Sequence, residues 1–151
     1  LCESDRDRWR GRHVGFPFQD FRVFDGLTAL ENVLLPFTFR ARALSNAQKR
    51  GAADLLTVHG VNPGKRADLL SRGEMQRTAL VRVLMQSPSI ILADEPTASL
   101  DAARGEHAVD ALIEAASALR ASLVLVSHDE RVLSHFERQM TLADGRLAPR
   151  I

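Results

Sequence analysis

Cysteine is nearly missing: Cys2 is the only one in 151 residues. No intrachain disulfide can form and no cysteine-rich metal site can be built, so a disulfide scaffold is excluded and a reducing compartment fits. An excess of one charge is missing too. Lys and Arg number 20 against 19 acids, a formal net charge of +1. Such a balance gives no general electrostatic footprint for DNA or RNA, and no nucleic-acid partner is expected. Long hydrophobic runs are absent. The longest, Ile90-Ile91-Leu92-Ala93 and Leu123-Val124-Leu125-Val126, fall far short of the roughly 20 apolar residues that cross a bilayer as a helix. No signal peptide is visible, because the N-terminus is polar and arginine-rich with no apolar stretch behind it. The start Leu1-Cys2-Glu3, without Met, reads as a piece of a longer chain.

What is present is ordinary for a soluble globular protein: 45% hydrophobic and 26% charged residues, which excludes a disordered tail or a collagen-like fibre. The length allows one modest domain with a real core. No internal repeat or low-complexity segment interrupts it. Residues 1–13 alternate charges around Trp9 and read as a solvated segment. Val14-Gly15-Phe16-Pro17-Phe18-Gln19 reads as a short apolar strand ending at a polar residue.

Three Ser/Thr-x-x-Glu/Gln patterns then mark helix starts. Thr28 with Glu31 opens a helix carrying Leu30, Val33, Leu34 and Leu35, interrupted at Pro36. Ser45 with Gln48 opens one that runs to about His59 and ends at Gly60. Asn62-Pro63-Gly64 is a turn. Ser71 with Glu74 opens a third, with Met75, Leu80, Val81 and Leu84 on its apolar side. Beyond Pro88 the texture changes to a β-rich run (89–93), a long amphipathic helix, a second β-rich run (123–126) and a further helix. The long helix spaces Val109, Leu112, Ile113, Ala116 and Leu119 as a core-facing stripe. Two apolar strands separated by a helix predict a βαβ crossover in a parallel sheet buried on both faces. The chain closes on a hairpin turning at Asp144-Gly145.

Chemistry concentrates where these strands end. Ile90-Ile91-Leu92-Ala93 runs into Asp94 and Glu95, adjacent carboxylates at the carboxyl edge of a parallel sheet, where open α/β folds bind ligands. One acid there can hold Mg²⁺ while its neighbour orients or deprotonates water. A helix-capping acid pair is the plainer reading. Ser71-Arg72-Gly73-Glu74 opens a helix whose free N–H groups suit an anion, although Ser71 as a simple cap accounts for it equally well. His128 follows the second strand and can reach the same edge. His13, His59, His107 and His135 read as structural.

Together these segments resemble the ABC-type ATPase family. The glutamine loop appears as Phe18-Gln19-Asp20 and the signature as Leu70-Ser71-Arg72-Gly73-Glu74. The Walker B strand is residues 90–94 with Glu95 following, the D-loop Pro96-Thr97-Ala98-Ser99-Leu100-Asp101, and the switch histidine His128. The order matches over nearly the whole chain. Residues 15–19 and Leu27-Thr28-Ala29-Leu30-Glu31-Asn32-Val33 resemble one branch, the cassettes of lipoprotein-releasing, macrolide-export and cell-division complexes.

The resemblance implies an α/β fold: a partial P-loop NTPase (RecA-like) parallel-sheet core with an inserted α-helical subdomain. Residues 1–24 would be a remnant of the nucleotide-binding core ending in the glutamine loop. Residues 25–87 would form the helical subdomain, and 88–151 the core with Walker B, D-loop and switch histidine. The implied cofactors are ATP and Mg²⁺. Gln19 would sense Mg²⁺ and the attacking water, Asp94 would bind Mg²⁺, Glu95 would be the general base, and His128 would contact the γ-phosphate. Ser71, Gly73 and Glu74 would contact nucleotide held by a second cassette in a head-to-tail homodimer, with Asp101 crossing that interface. Integral membrane transporter subunits would be the other partners, on the cytoplasmic face of the inner or plasma membrane, where the subunit would sit peripherally.

The sequence departs from the family at three points. The phosphate loop G-x-x-x-x-G-K-[ST] is not found. The nearest run, Gly60-Val61-Asn62-Pro63-Gly64-Lys65-Arg66, is one residue short, has Arg66 in place of Ser/Thr, and reads as a turn; the resemblance places the true loop upstream of residue 1. Arg72 stands where the signature has its first glycine. Residues 65–70 are a few residues short of the family pattern. Two other functions compete: a catalytically silent docking module, favoured by the missing loop, and a nucleic-acid-associated ATPase, for which the coiled coils, zinc modules and basic tracts are lacking.

Overall fold

The computed structural model describes residues 2–17, 23–39, 43–98 and 100–150. All three expected capping boxes form. Thr28 caps α2 (Ala29–Thr38), Ser45 caps α3 (Asn46–Val58) and Ser71 caps α4 (Arg72–Gln86). In each, a hydroxyl accepts the N–H three residues on, and that residue's side chain accepts the cap's own N–H. Two orphan donors are thereby satisfied per helix start, and removal of such a cap costs about 1 kcal/mol. Pro36 does not end its helix as expected: α2 continues to Thr38. A proline removes one N–H and crowds the preceding turn, but two further residues keep helical dihedrals before the element stops.

Residues preceding the sheet are solvated as expected, and they are also helical. α1 (Glu3–His13) has no buried residue. Its alternating charges become intrahelical pairs, Asp5 with Arg8 at 3.2 Å and Asp7 with Arg10. The strand expected after it is shorter, β1 (Val14–Gly15). Phe16 and Pro17 are irregular, and Phe18, Gln19 and Asp20 lie outside the described residues.

β1, β2 (Ile90–Asp94) and β3 (Ser122–Val126) form a parallel sheet in the order β1-β2-β3. Val14 pairs with Ile90, and β2 runs alongside β3 from Ile90↔Ser122 to Asp94↔Val126. The crossover is α5 (Ala102–Leu119). Its buried face comprises Gly105, Ala108, Val109, Leu112, Ala115 and Ala116, while Ile113 and Leu119 of the expected stripe are half-buried. After β3 come the short α6 (Glu130–Leu133) and the hairpin of β4 (Met140–Ala143) and β5 (Arg146–Pro149). That hairpin turns where predicted, with positive φ at both Asp144 and Gly145, the backbone that Asp-Gly supplies for a tight two-residue turn.

Two apolar clusters meet at α4. One gathers Ala29, Val33, Leu34, Ala52, Leu56, Val61 and Val81 from the helices; the other gathers Val83, Ile91, Ala93, Leu112, Ala115 and Ala116 at the sheet. Among the described residues this face of the sheet is the better covered. On the opposite face Ile90 and Leu92 are half-buried, but Val124 is 51% and Val126 56% exposed, so the expected burial on both faces is corrected here. Period-2 alternation sends every second side chain of β3 to that side.

Gly15 is required by close approach. A Cβ built on it would lie 2.8 Å from Pro88 Cγ and 2.9 Å from Val83 Cγ1, both in the packed interior behind the sheet. Gly15→Ala should therefore lower stability by about 1–3 kcal/mol, the usual cost of overpacking. A shift of the urea midpoint to lower concentration would show it; an unchanged midpoint would mean that the sheet and α4 separate freely.

Candidate functional site

β2 delivers Asp94 and Glu95 to the carboxyl edge of the sheet. Asp94 is the last residue of the strand and is exposed. Glu95 has left-handed backbone (φ +44°), a strained conformation for a non-glycine residue, on the order of 1–3 kcal/mol. Its N–H donates to the Val126 carbonyl at 2.9 Å, which ties the turn to β3 and holds that conformation. The same tie brings the residues after β3 to the carboxylate. His128 Nδ1 donates to Glu95 Oε1 at 2.7 Å, and Ser127 Oγ donates more weakly to Oε2 at 3.4 Å. Ser127 Oγ also accepts the Asp129 N–H at 3.1 Å. Glu95 is largely covered, with 26% of its side chain exposed, whereas His128 is 84% exposed.

The hydrogen bond to Glu95 is the main cause that raises the His128 pKa above its ordinary 6.5, followed by the Glu95 charge; Asp129 adds to it and partial desolvation opposes it. The imidazolium is thus favoured in the folded state. The stabilisation is fully present below pH 6.5 and is lost as pH rises through the raised value.

A second constellation sits at the start of α4. Ser71 Oγ accepts the Glu74 N–H at 3.3 Å, and Glu74 Oε2 accepts the Ser71 N–H at 2.8 Å. Both Glu74 oxygens also accept from Lys65 Nζ, at 2.9 and 2.8 Å. This contact first, and then the Ser71 N–H, lowers the Glu74 pKa from 4.5 to about 2. Arg72 is exposed beside it. Asp101 caps α5, accepting the Arg104 N–H at 3.0 Å and pairing with its guanidinium at 3.3 Å.

The structure therefore brings Glu95 to His128, with Asp94 adjacent in sequence, and Ser71 to Glu74 beside Gly73. Among the described residues no hydrogen bond or ion pair joins the two groups. Gln19 lies outside the described residues. Two participants escaped sequence reasoning. Ser127 carried only its place before His128. Lys65 was hidden in a turn, and a cation nine residues before an acid is a signal too common to read.

Among the described residues no group of three or more His, Cys, Asp or Glu is arranged to hold a metal ion. The donors present suit Mg²⁺ all the same, because that ion is ordinarily held by one or two carboxylates together with substrate phosphates and water. The exposed Asp94 meets that demand. The N-terminal turn of α4, with its partial positive charge and exposed Arg72, suits an anion. No helix of the described residues is long and apolar enough to cross a membrane.

Residues 2–98 match the family model described as ABC transporter. The lipoprotein-releasing system ATP-binding protein LolD of Legionella pneumophila (strain Paris) is 34% identical over 152 residues, covering 99% of this chain and 66% of the relative. YbbA of Escherichia coli (strain K12), an uncharacterized ABC transporter ATP-binding protein, is 38% identical over 151 residues, covering 97% and 65%. The ATP-binding cassette MJ0796, solved as a dimer in a post-hydrolysis state with ADP and Pi, aligns with a TM-score of 0.76 at 35% identity. That alignment covers 99% of this chain and 68% of the other. The expected fold class, a P-loop NTPase-like parallel-sheet core with a helical insert, is borne out by this likeness. The chain spans about two thirds of the length of the curated relatives it matches.

The two titrating pairs make opposite predictions. In Glu95→Gln, His128 should titrate lower than in the wild type, read by the pH dependence of its ring NMR signals; an unmoved titration would deny the pairing. For Glu74, a depressed pKa means stability present above pH 4.5 and lost as pH falls toward 2. The stability difference between wild type and Lys65→Met, from urea midpoints, should be full at pH 7 and shrink between pH 4.5 and 2. A difference that does not change with pH would refute it.

Proposed function

The chain belongs to the ABC transporter family, and on that footing we propose that it is the larger part of an ATP-hydrolysing subunit that powers membrane transporter subunits. The contact that carries this reading is His128 on Glu95, at the strand end that also presents Asp94. The substrate is ATP, with Mg²⁺ neutralising phosphate charge when bound and Asp94 as its protein ligand. Glu95 is the general base toward water. In the arrangement described, its carboxylate is held by His128 and Ser127, so it must release the imidazole before it can accept a proton. The exposed His128, whose protonated form Glu95 favours, is suited to make that exchange, turning from Glu95 to a γ-phosphate. Gln19 is proposed, from the family pattern alone, to sense Mg²⁺ and the attacking water.

Ser71 and Gly73 are proposed to meet the γ-phosphate of ATP held by a second copy in a head-to-tail dimer, with Asp101 near that interface. The dimeric state of a similar cassette supports this arrangement. Residues 25–87 would then be the helical subdomain, inserted in sequence between the 1–24 and 88–151 parts of the core, whose strands pair directly. The names of similar proteins favour lipoprotein release as the process served; export, and a peripheral place on the cytoplasmic face of the membrane, are proposed from the family pattern alone.

The test uses the complete gene product. Glu95→Gln should lower turnover by about 10²–10⁴, the usual worth of general base catalysis, while ATP binding survives. Undiminished turnover would remove Glu95 from the role. The 151 residues alone should bind ATP weakly and hydrolyse it at no measurable rate, because most phosphate contacts come from the missing loop; robust turnover by them would contradict this.

A further inference from the structure

Lys65 belongs to no motif, yet it connects three parts of the helical region. Its N–H donates to the Asn62 carbonyl at 3.1 Å, and its carbonyl accepts the Ala29 N–H at 2.9 Å. That second bond fixes it against the first turn of α2, and the neighbouring Arg66 makes an antiparallel bridge to Thr28. From this anchored main chain the side chain reaches the first turn of α4. There Nζ meets both Glu74 oxygens, at 2.9 and 2.8 Å, in a pair with only 33% and 16% of its side chains exposed. Glu74 in turn holds the Ser71 N–H.

The placement has an electrostatic consequence. A carboxylate in the first turn of α4 favours the helix dipole, but it also sets a negative charge beside a turn that would receive a polyphosphate. At a few ångströms two like unit charges repel one another even in water, and more strongly near a protein surface. Lys65 cancels this charge and keeps the carboxylate turned onto the Ser71 N–H.

Resting on the reading that the 71–73 turn meets nucleotide held by a second copy, the geometry points to Lys65 as a positioning residue that neutralises Glu74 and fixes this turn to accept phosphate. It acts through Glu74 and touches no substrate. A single 3-10 turn, Ala67–Leu69, separates Lys65 from Leu70 and the Ser71 cap.

The experiment measures KM and kcat for ATP, and ATP-driven dimerisation by light scattering, on the complete gene product. Lys65→Met should raise KM about tenfold, the change that 1.4 kcal/mol produces, with kcat little altered. Lys65→Arg should restore most of the loss. The double variant Lys65→Met/Glu74→Gln separates charge from mere fastening. Glutamine keeps the cap as an acceptor, so removing both charges should recover much of the KM lost in Lys65→Met. A double variant as impaired as Lys65→Met would overturn neutralisation and reduce Lys65 to a strut. An unchanged KM in Lys65→Met, with Ser71→Ala impaired, would sink the role of Lys65 alone. A silent Ser71→Ala would instead remove the nucleotide-contact reading beneath it. Should Lys65→Met fail to fold, Lys65→Gln, which keeps a donor without the charge, carries the same expectation.

Discussion

Helix α4 is the constraint on which both halves of the molecule depend. Val81 is fully buried in the helical cluster and Val83, two residues on, is buried in the sheet cluster. Met75 and Met85 lie against the first cluster; Leu80 and Leu84 lie against the second. Fully burying one such aliphatic side chain is worth about 1.5–3 kcal/mol, so the orientation of α4 is held from two sides. Its N-terminal turn and the sheet edge are consequently set by the same rigid element, although the candidate residues at the two places share no bond.

The two candidate carboxylates have been given different partners, and the difference is physical. Glu74 is paired with a lysine, both its oxygens are engaged, and little of it meets solvent. Such a pair persists at every pH near neutrality and suits a fixed part. Glu95 is paired with a histidine that is mostly in solvent and whose pKa the hydrogen bond to Glu95 raises. Such a pair can be exchanged at small cost when an anion arrives. The left-handed backbone at Glu95, stitched to Val126, holds the carboxylate at the end of the strand.

The sheet is a half-covered object. Ile91 and Ala93 are buried behind α4 and α5, whereas Val124 and Val126 face outward, and the hairpin leaves Leu142 and Leu147 more than two-thirds exposed. Apolar area of this kind is characteristic of contact faces and of aggregation-prone surfaces. The chain matches about two thirds of the length of its relatives, and the candidate site's edge adjoins the more exposed side, since Asp94 pairs in register with Val126.

What the sequence determined by itself was local. The three capping boxes, the end of α3 at Val58 just before Gly60 and the Asp-Gly hairpin all follow from bonds made within a few residues, whose energies do not depend on the rest of the chain. The apolar strands and the motif order placed Asp94, Glu95 and His128 at one edge for the same reason: a strand's end is where its apolar run ends. Pro36 shows the limit even there, because a propensity of one residue yields to a helix already formed. Tertiary structure alone decided the rest. That Glu95 meets His128 across 33 positions, that Lys65 meets Glu74, that Gly15 must lack a side chain against Pro88, and that one sheet face stays open are facts about distant segments brought together. Their energies come from packing and charge in three dimensions, and a linear pattern carries neither.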